Sequence, residues 1–272
     1  MLPTKPVGGV GGRVAFALLI ALPLQASDAP LFPVPLHLVR RVEDPIAGST
    51  AEVDEYCSGN RIITISASRT AIVDYERQEL LEIDRAASTY SIATFDEIAR
   101  SKAVLDRPHP KKESTASIAW KTTPLGVTQS RTGRSADSFE ITTDKIKVQV
   151  AVDRQVTLSR AALDAISGAG YPNKSSDQQD AVARVCARNT DVPNAKTTGV
   201  QTYGLPLEQS ITFEAGAATR LTVRNTIVRM TNELPPPELL AIPAGAKLVE
   251  SRAAQMQKVL KELGDVAPAS RP

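Results

Sequence analysis

Residues 70–101 read TAIVDYERQELLEIDRAASTYSIATFDEIARS, and their reading decides the fold. The run 70–75 is β-branched and aromatic, 79–83 repeats an apolar stretch, and 89–94 alternates Tyr90, Ile92 and Thr94 against Thr89, Ser91 and Ala93. These are strand patterns joined by short polar spacers. Parallel strands would need crossovers of a dozen or more residues, so spacers this tight imply an antiparallel meander. Residues 95–104 then place Phe95, Ile98 and Ala99 at helical spacing, with Asp96 and Glu97 where the helix dipole favours acids.

Working outward, 61–67 (RIITISA) starts the strand series and 36–42 offers an earlier strand, with a loop expected over 44–52. Further strands are expected at 117–121, 138–143 and 145–153, the last alternating Ile146, Val148, Val150 and Val152 with polar or small residues. Two helices follow, over 158–168 with Ser159 as N-cap and over 175–189 with Ser176 and Gln179 as a capping box. From 199 the β pattern resumes through 232, and 235–250 closes it as a proline-rich turn and a short edge. Residues 249–263 form an amphipathic helix, with Val249, Ala253, Met256, Leu260 and Leu263 on one side. Neither half has enough dry strand faces for its own core, so strands on both sides of the helical insert 158–189 are expected in one sheet. The fold class is α+β: a single domain over 36–263 and a disordered tail over 264–272.

The first 26 residues set the compartment. Lys5 and Arg13 precede an apolar core at 14–24, VAFALLIALPL, and Ala26 stands before a polar stretch. This is the pattern of a secretory leader, and eleven apolar residues fall short of the roughly 20 that a spanning helix needs. The mature chain is expected in the periplasm or secreted, without a permanent membrane span. Its charge is balanced: the formal +2 of the whole chain drops to 2 − 2 = 0 once Lys5 and Arg13 leave. Balance with interspersed signs excludes a nucleic-acid surface. Two cysteines, Cys57 and Cys186, stand outside any metal spacing and are expected to form a disulfide in an oxidising compartment.

No chemistry emerges. There is no G-x-S-x-G to expose a nucleophile, His37 and His109 stand alone, Asp96–Glu97 starts a helix, and the glycines of 167–170 end one. No catalytic residue, metal or cofactor is expected, and the protein is read as a non-enzyme.

The stretch 69–98, with LEID at 81–84 and AASTYSIATFDEI at 86–98, resembles uncharacterised periplasmic domains related to the lipoprotein-carrier (LolA-like) half-barrel. Residues 200–213, VQTYGLPLEQSITF, and 236–250, PPELLAIPAGAKLVE, are similar to late strands and the closing segment of that group. The resemblance implies a curved antiparallel sheet covered by short helices, and it carries over no numbered functional residue. Such a sheet must cover its apolar face with helices, ligand or another protein. Two readings follow. One is a carrier whose half-barrel holds a lipid or acyl chain against Ile72, Leu81, Ile83, Ile92, Trp120, Val148, Val150, Leu221 and Val223. The other is a structural or interaction module of the cell envelope with a packed core. An empty apolar cavity would favour the first, and an exposed apolar stripe on 249–263 the second.

Export is testable directly. N-terminal sequencing of the exported protein is expected to show removal of about 26 residues; a form still beginning at Met1 would contradict it.

Overall fold

A computed structural model describes residues 29–45, 48–105, 119–167, 177–188, 201–214 and 220–265. The elements are β1 (Phe32–Asp44), β2 (Ser49–Gly59), β3 (Arg61–Ile65), β4 (Arg69–Asp74), β5 (Glu79–Asp84), β6 (Thr89–Thr94), α1 (Phe95–Leu105), β7 (Lys121–Gln129), β8 (Ser135–Thr142), β9 (Ile146–Leu158), α2 (Arg160–Ser167), α3 (Asp177–Cys186), β10 (Tyr203–Glu214), β11 (Arg220–Thr231), α4 (Pro237–Leu240), β12 (Lys247–Leu248) and α5 (Arg252–Asp265). All twelve strands lie in one sheet, ordered β12-β6-β5-β4-β3-β2-β1-β11-β10-β9-β8-β7. Every pair is antiparallel except the two-residue β12–β6 contact. The sheet is curved and unclosed, and it unites strands from both sides of the helical insert.

The meander forms where the sequence places it, for a local reason. Asp74 and Asp84 each open a turn by accepting backbone N–H groups downstream, from Glu76 and Arg77 and from Ala87. Each turn closes on a residue with positive φ, Gln78 at 56° and Ser88 at 51°. The matched turns keep the three strands in register. Thr94 and Glu97 then make a reciprocal capping box, N–H to Oε2 at 2.8 Å and N–H to Oγ1 at 3.2 Å, which starts α1. The expected loop over 44–52 is largely strand, since β2 begins at Ser49 and its polar residues pair with β1. The strand expected at 117–121 instead begins at Lys121 and runs to Gln129.

The two faces of the sheet differ. On the helix face, the cross-strand row Leu36–Cys57–Ile62–Val73–Leu80–Ala93 is buried throughout. At the other end of this face, Val148, Val150 and Val152 belong to the same core cluster as Ala162, Leu163 and Ile166 of α2 and Ala181, Val182 and Val185 of α3. Arg154 ties α3 down: its guanidinium donates to the carbonyls of Val185, Cys186 and Ala187 at 2.9, 3.0 and 2.6 Å. A cation on the free carbonyls of a helix C-terminus satisfies them and opposes the dipole. Leu38, Ile141, Val148, Val152, Leu205 and Ile227 are fully enclosed, so the half-barrel is filled by the chain itself. Arg40 and Glu55 form a buried ion pair within it.

The expected Cys57–Cys186 disulfide is absent; both are buried free thiols. Cys57 lies in the β2 row, whereas Cys186 ends α3, which packs on β8, β9 and β10. Three strand spacings, about 14 Å along the sheet, separate β2 from β10, twice the reach of a disulfide. Burial pushes the Cys57 thiol well above its usual range, with Glu55 adding to it, and burial pushes Cys186 up to about 12. Neither thiol is a nucleophile in the folded state.

Several expectations fall outside the described residues: the leader over 1–26, His109, Ser176 of the second capping box, and the tail beyond Asp265.

The thiols give a clean check. Ellman's reagent is expected to leave both cysteines unreacted in the native protein and to titrate two thiols after unfolding in guanidinium. A protein that shows no free thiol when unfolded without reductant would restore the disulfide.

Candidate docking site at the β6–β12 end

After β11 the chain runs as a strap, residues 232–246, across the face of the sheet opposite the main helices, to the outer edge of β6. Pro235 and Pro236 fix φ and favour an extended course, and Pro237 opens α4 at a position where its missing N–H costs no hydrogen bond. Arg85 fastens the strap, its guanidinium donating to the carbonyls of Leu239 at 2.8 Å and Glu238 at 3.4 Å. At the root of the strap, His37 is almost fully buried and stacks on Tyr56, ring centroids 4.0 Å apart. Its Nε2 lies 2.8 Å from Asp54, and its Nδ1 lies 3.4 Å from both Glu233 and the Thr231 hydroxyl. Burial, with Asp54 and Glu233 alongside, pushes the Tyr56 phenol above its ordinary value. A histidine enclosed this way locks the strap to β1 and β2 and is out of reach of substrate.

Beneath the strap lies a cavity of about 260 Å³. Its floor is one cross-strand row, Ile63–Ile72–Leu81–Ile92, and its roof is Leu240 and Ile242 from the strap. Arg61, Asp74, Arg77 and Glu79 form the rim. Arg61 bonds Asp74 at 2.8 Å. Burial acts to raise the Asp74 carboxyl, but the hydrogen bonds from the Arg77 N–H, Arg61 and the Glu76 N–H outweigh it and hold the group below its usual range. The rim is therefore charged but balanced, and the interior is aliphatic. At this size the cavity sits just under the range of whole-ligand sites and suits one apolar side chain or the end of an alkyl chain.

Apolar surface continues from this cavity around the edge of the sheet. Ile92, Ile242 and Leu248 are exposed on the strap side; Val249, Met256 and Val259 are exposed on the α5 side. These are six of the eleven large apolar side chains left exposed among the described residues, so the exposure is concentrated at one end. The cause is the way α5 docks. Ala253, Ala254, Gln257 and Leu260 are its half-buried residues, with the Gln257 amide donating to the Glu97 carbonyl at 2.9 Å. That turns Met256 and Val259, up to half-exposed, away from the fold.

The nine residues expected to line one cavity divide between the faces. Ile72, Leu81 and Ile92 meet under the strap. Ile83 lies one row over on the same face, fully buried. Val148 and Val150 belong to the core beneath α2 and α3. Val223, level with Val148 through Ile211, and Leu221 are half-buried on the helix face. Trp120 is half-buried against the core, its indole N–H enclosed without a partner among the described residues. Ile63, Leu240 and Ile242 were not anticipated; the signal was the apolar LLAI at 239–242 between Pro237 and Pro243. Among the described residues, no three His, Cys, Asp or Glu side chains gather as a metal site, and no helix is long and apolar enough to cross a membrane.

The sequence matches no family model and no curated protein. Similar solved structures include two of PNGF-II, in its C2 and P21 space groups, at 9% and 6% identity, each with a TM-score of 0.35 over 84% of this chain. The chain spans about a third of their length, 33%. A likeness at this level carries no argument about fold or activity.

The rim gives a pH-dependent prediction. Because the folded-state carboxyl of Asp74 ionises at lower pH than the unfolded one, its contribution is complete above the unfolded value of about 3.9 and is lost as pH falls through the lower folded value. Asp74→Asn is expected to cost about 1–3 kcal/mol in urea unfolding at pH 7. The gap from the natural protein should narrow as pH falls below that unfolded value; a gap unchanged in acid would rule out a stabilising role for the Asp74 carboxylate.

Proposed function

We propose that the protein is an exported, non-enzymatic interaction module of the cell envelope, which docks a partner protein at the β6–β12 end. One observation carries this reading: six of the eleven large apolar side chains left exposed among the described residues gather at one end of the sheet. Hydrophobic patches of that kind mark interaction surfaces more often than accidents of composition. The strap cavity beside the patch offers a place for the one buried anchor residue around which interfaces concentrate their energy. The open curved sheet with helices on one face supports kinship with the LolA-like half-barrel group. The leader pattern of residues 1–26 supports export.

The strap cavity also favours a second reading, in which the module holds an apolar ligand such as an acyl chain. The chain would enter under Leu240 and Ile242, against Ile72, Leu81 and Ile92, rather than within the filled half-barrel. A partner protein is the better occupant of the whole surface, because a cavity of about 260 Å³ leaves Leu248, Val249, Met256 and Val259 uncovered.

Site-specific photocrosslinking in the native cell separates the two. With a benzophenone amino acid at position 92, 256 or 259, one common protein adduct is expected, and none at position 127 on the opposite edge. Lipid adducts at 92 alone would support the ligand reading, and equal adducts at all four positions would overturn both.

A further inference from the structure

A second cavity, about 400 Å³, opens on the strap face at the far end of the sheet, between the β7–β8 hairpin and strands β9, β10 and β11. Its volume lies within the range of small-ligand sites. Its wall is held in place from below. Arg134 in the hairpin pairs with Asp153, which is fully buried, and donates to the Gln155 side-chain Oε1 at 3.0 Å. The Arg131 N–H donates to Glu208 at 3.1 Å, and the Thr128 and Ser138 hydroxyls bond each other at 2.7 Å. A wall fixed by an ion pair to a fully buried carboxylate is preorganised, as a binding site requires.

The chemistry of the floor narrows the ligand. Cross-strand pairing sets Gln149, Ser210 and Arg224 in one row and Ala151, Glu208 and Thr226 in the next. Charge is balanced, since Arg131 lies beside Glu208 and Arg224 stands 3.6 Å from Glu43. An ionic ligand therefore meets no surplus field. What faces the cavity is hydrogen-bonding capacity. The Ser210 and Thr226 hydroxyls have no partner among the described residues, and Gln149 gives its Nε2 to Glu140 at 3.2 Å, leaving its carbonyl oxygen. Hydroxyls donate and accept at once. Leu125, half-exposed at the β7 bulge, and Ala151 add small apolar surface between these groups.

We propose that this groove binds a neutral saccharide, whose hydroxyls also donate and accept and whose C–H faces need small apolar patches. The proposal does not depend on the docking end, which lies at the opposite edge of the sheet. Isothermal titration of the full chain with cellotriose, maltotriose and N,N′,N″-triacetylchitotriose, with inorganic phosphate as the ionic control, tests it. At least one sugar is expected to bind with a Kd of about 1 mM or tighter. Ser210→Ala and Thr226→Val should each weaken that binding roughly threefold to tenfold, the effect of one hydrogen bond, without lowering Tm. Leu81→Ala in the strap cavity should leave it unchanged. No saturable binding of any of the three up to about 10 mM, binding indifferent to both hydroxyl removals, or binding of phosphate in place of sugar would each overturn the assignment.

Discussion

The pairing of β1 with β11 is the contact on which everything else rests. It joins residues as far apart in the chain as His37 and Thr231, and without it β2–β6 and β7–β10 would be two separate ribbons. Pairing across the seam is also what aligns the side-chain rows that each face depends on. A slip of one residue there would move the whole row His37–Tyr56–Ile63–Ile72–Leu81–Ile92 to the wrong face. A bulge between Val39 and Arg40 marks the seam, as expected where a long sheet must bend. Contacts of such sequence separation form late relative to the local meander, because loop closure precedes their gain.

Once the seam is fixed, coverage of the two faces follows from chain length. The helix face is closed by α1, α2, α3 and α5, and the half-barrel they cover is filled by the strand side chains themselves. Among the described residues the strap, 232–246, crosses the other face; it lies over one apolar row and leaves a cavity under Leu240 and Ile242. The two edges are treated differently. β7 carries Pro124, which has no N–H, beside a bulge at Gly126, devices that discourage further strand pairing. The β6 edge has two residues of β12 and a half-docked helix, and six of the eleven large apolar side chains left exposed among the described residues lie there.

Much of this was legible in the sequence, element by element. Strands β4, β5 and β6 and helix α1 fall where the alternation and the Thr94–Glu97 pattern put them, because local turn and cap chemistry decides them. Ser159 caps α2, its hydroxyl accepting the Ala162 N–H at 3.1 Å. The union of both halves in one sheet followed from the shortage of dry strand faces. β2 was not legible, because Ser49, Thr50 and Glu52 look like loop until β1 is there to pair with them. The cavity residues were half legible: alternation identifies Ile72, Leu81 and Ile92 as facing together, but only three-dimensional pairing separates them from Val148 and Val150 on the opposite face. The disulfide was inferred from compartment and count alone, and neither carries distance.

We propose that apolar partners seat on the outside of this sheet, at the strap, on the face opposite the core. Methyl-resolved NMR of isoleucine, leucine and valine during titration with octanoate, a minimal alkyl probe, tests it most directly. Saturable shifts are expected at Ile72, Leu81 and Ile92, with Leu38, Val148 and Leu205 unmoved. Shifts at Leu38, Val148 and Leu205 with the strap methyls silent would contradict it, since the interior would then be the cavity.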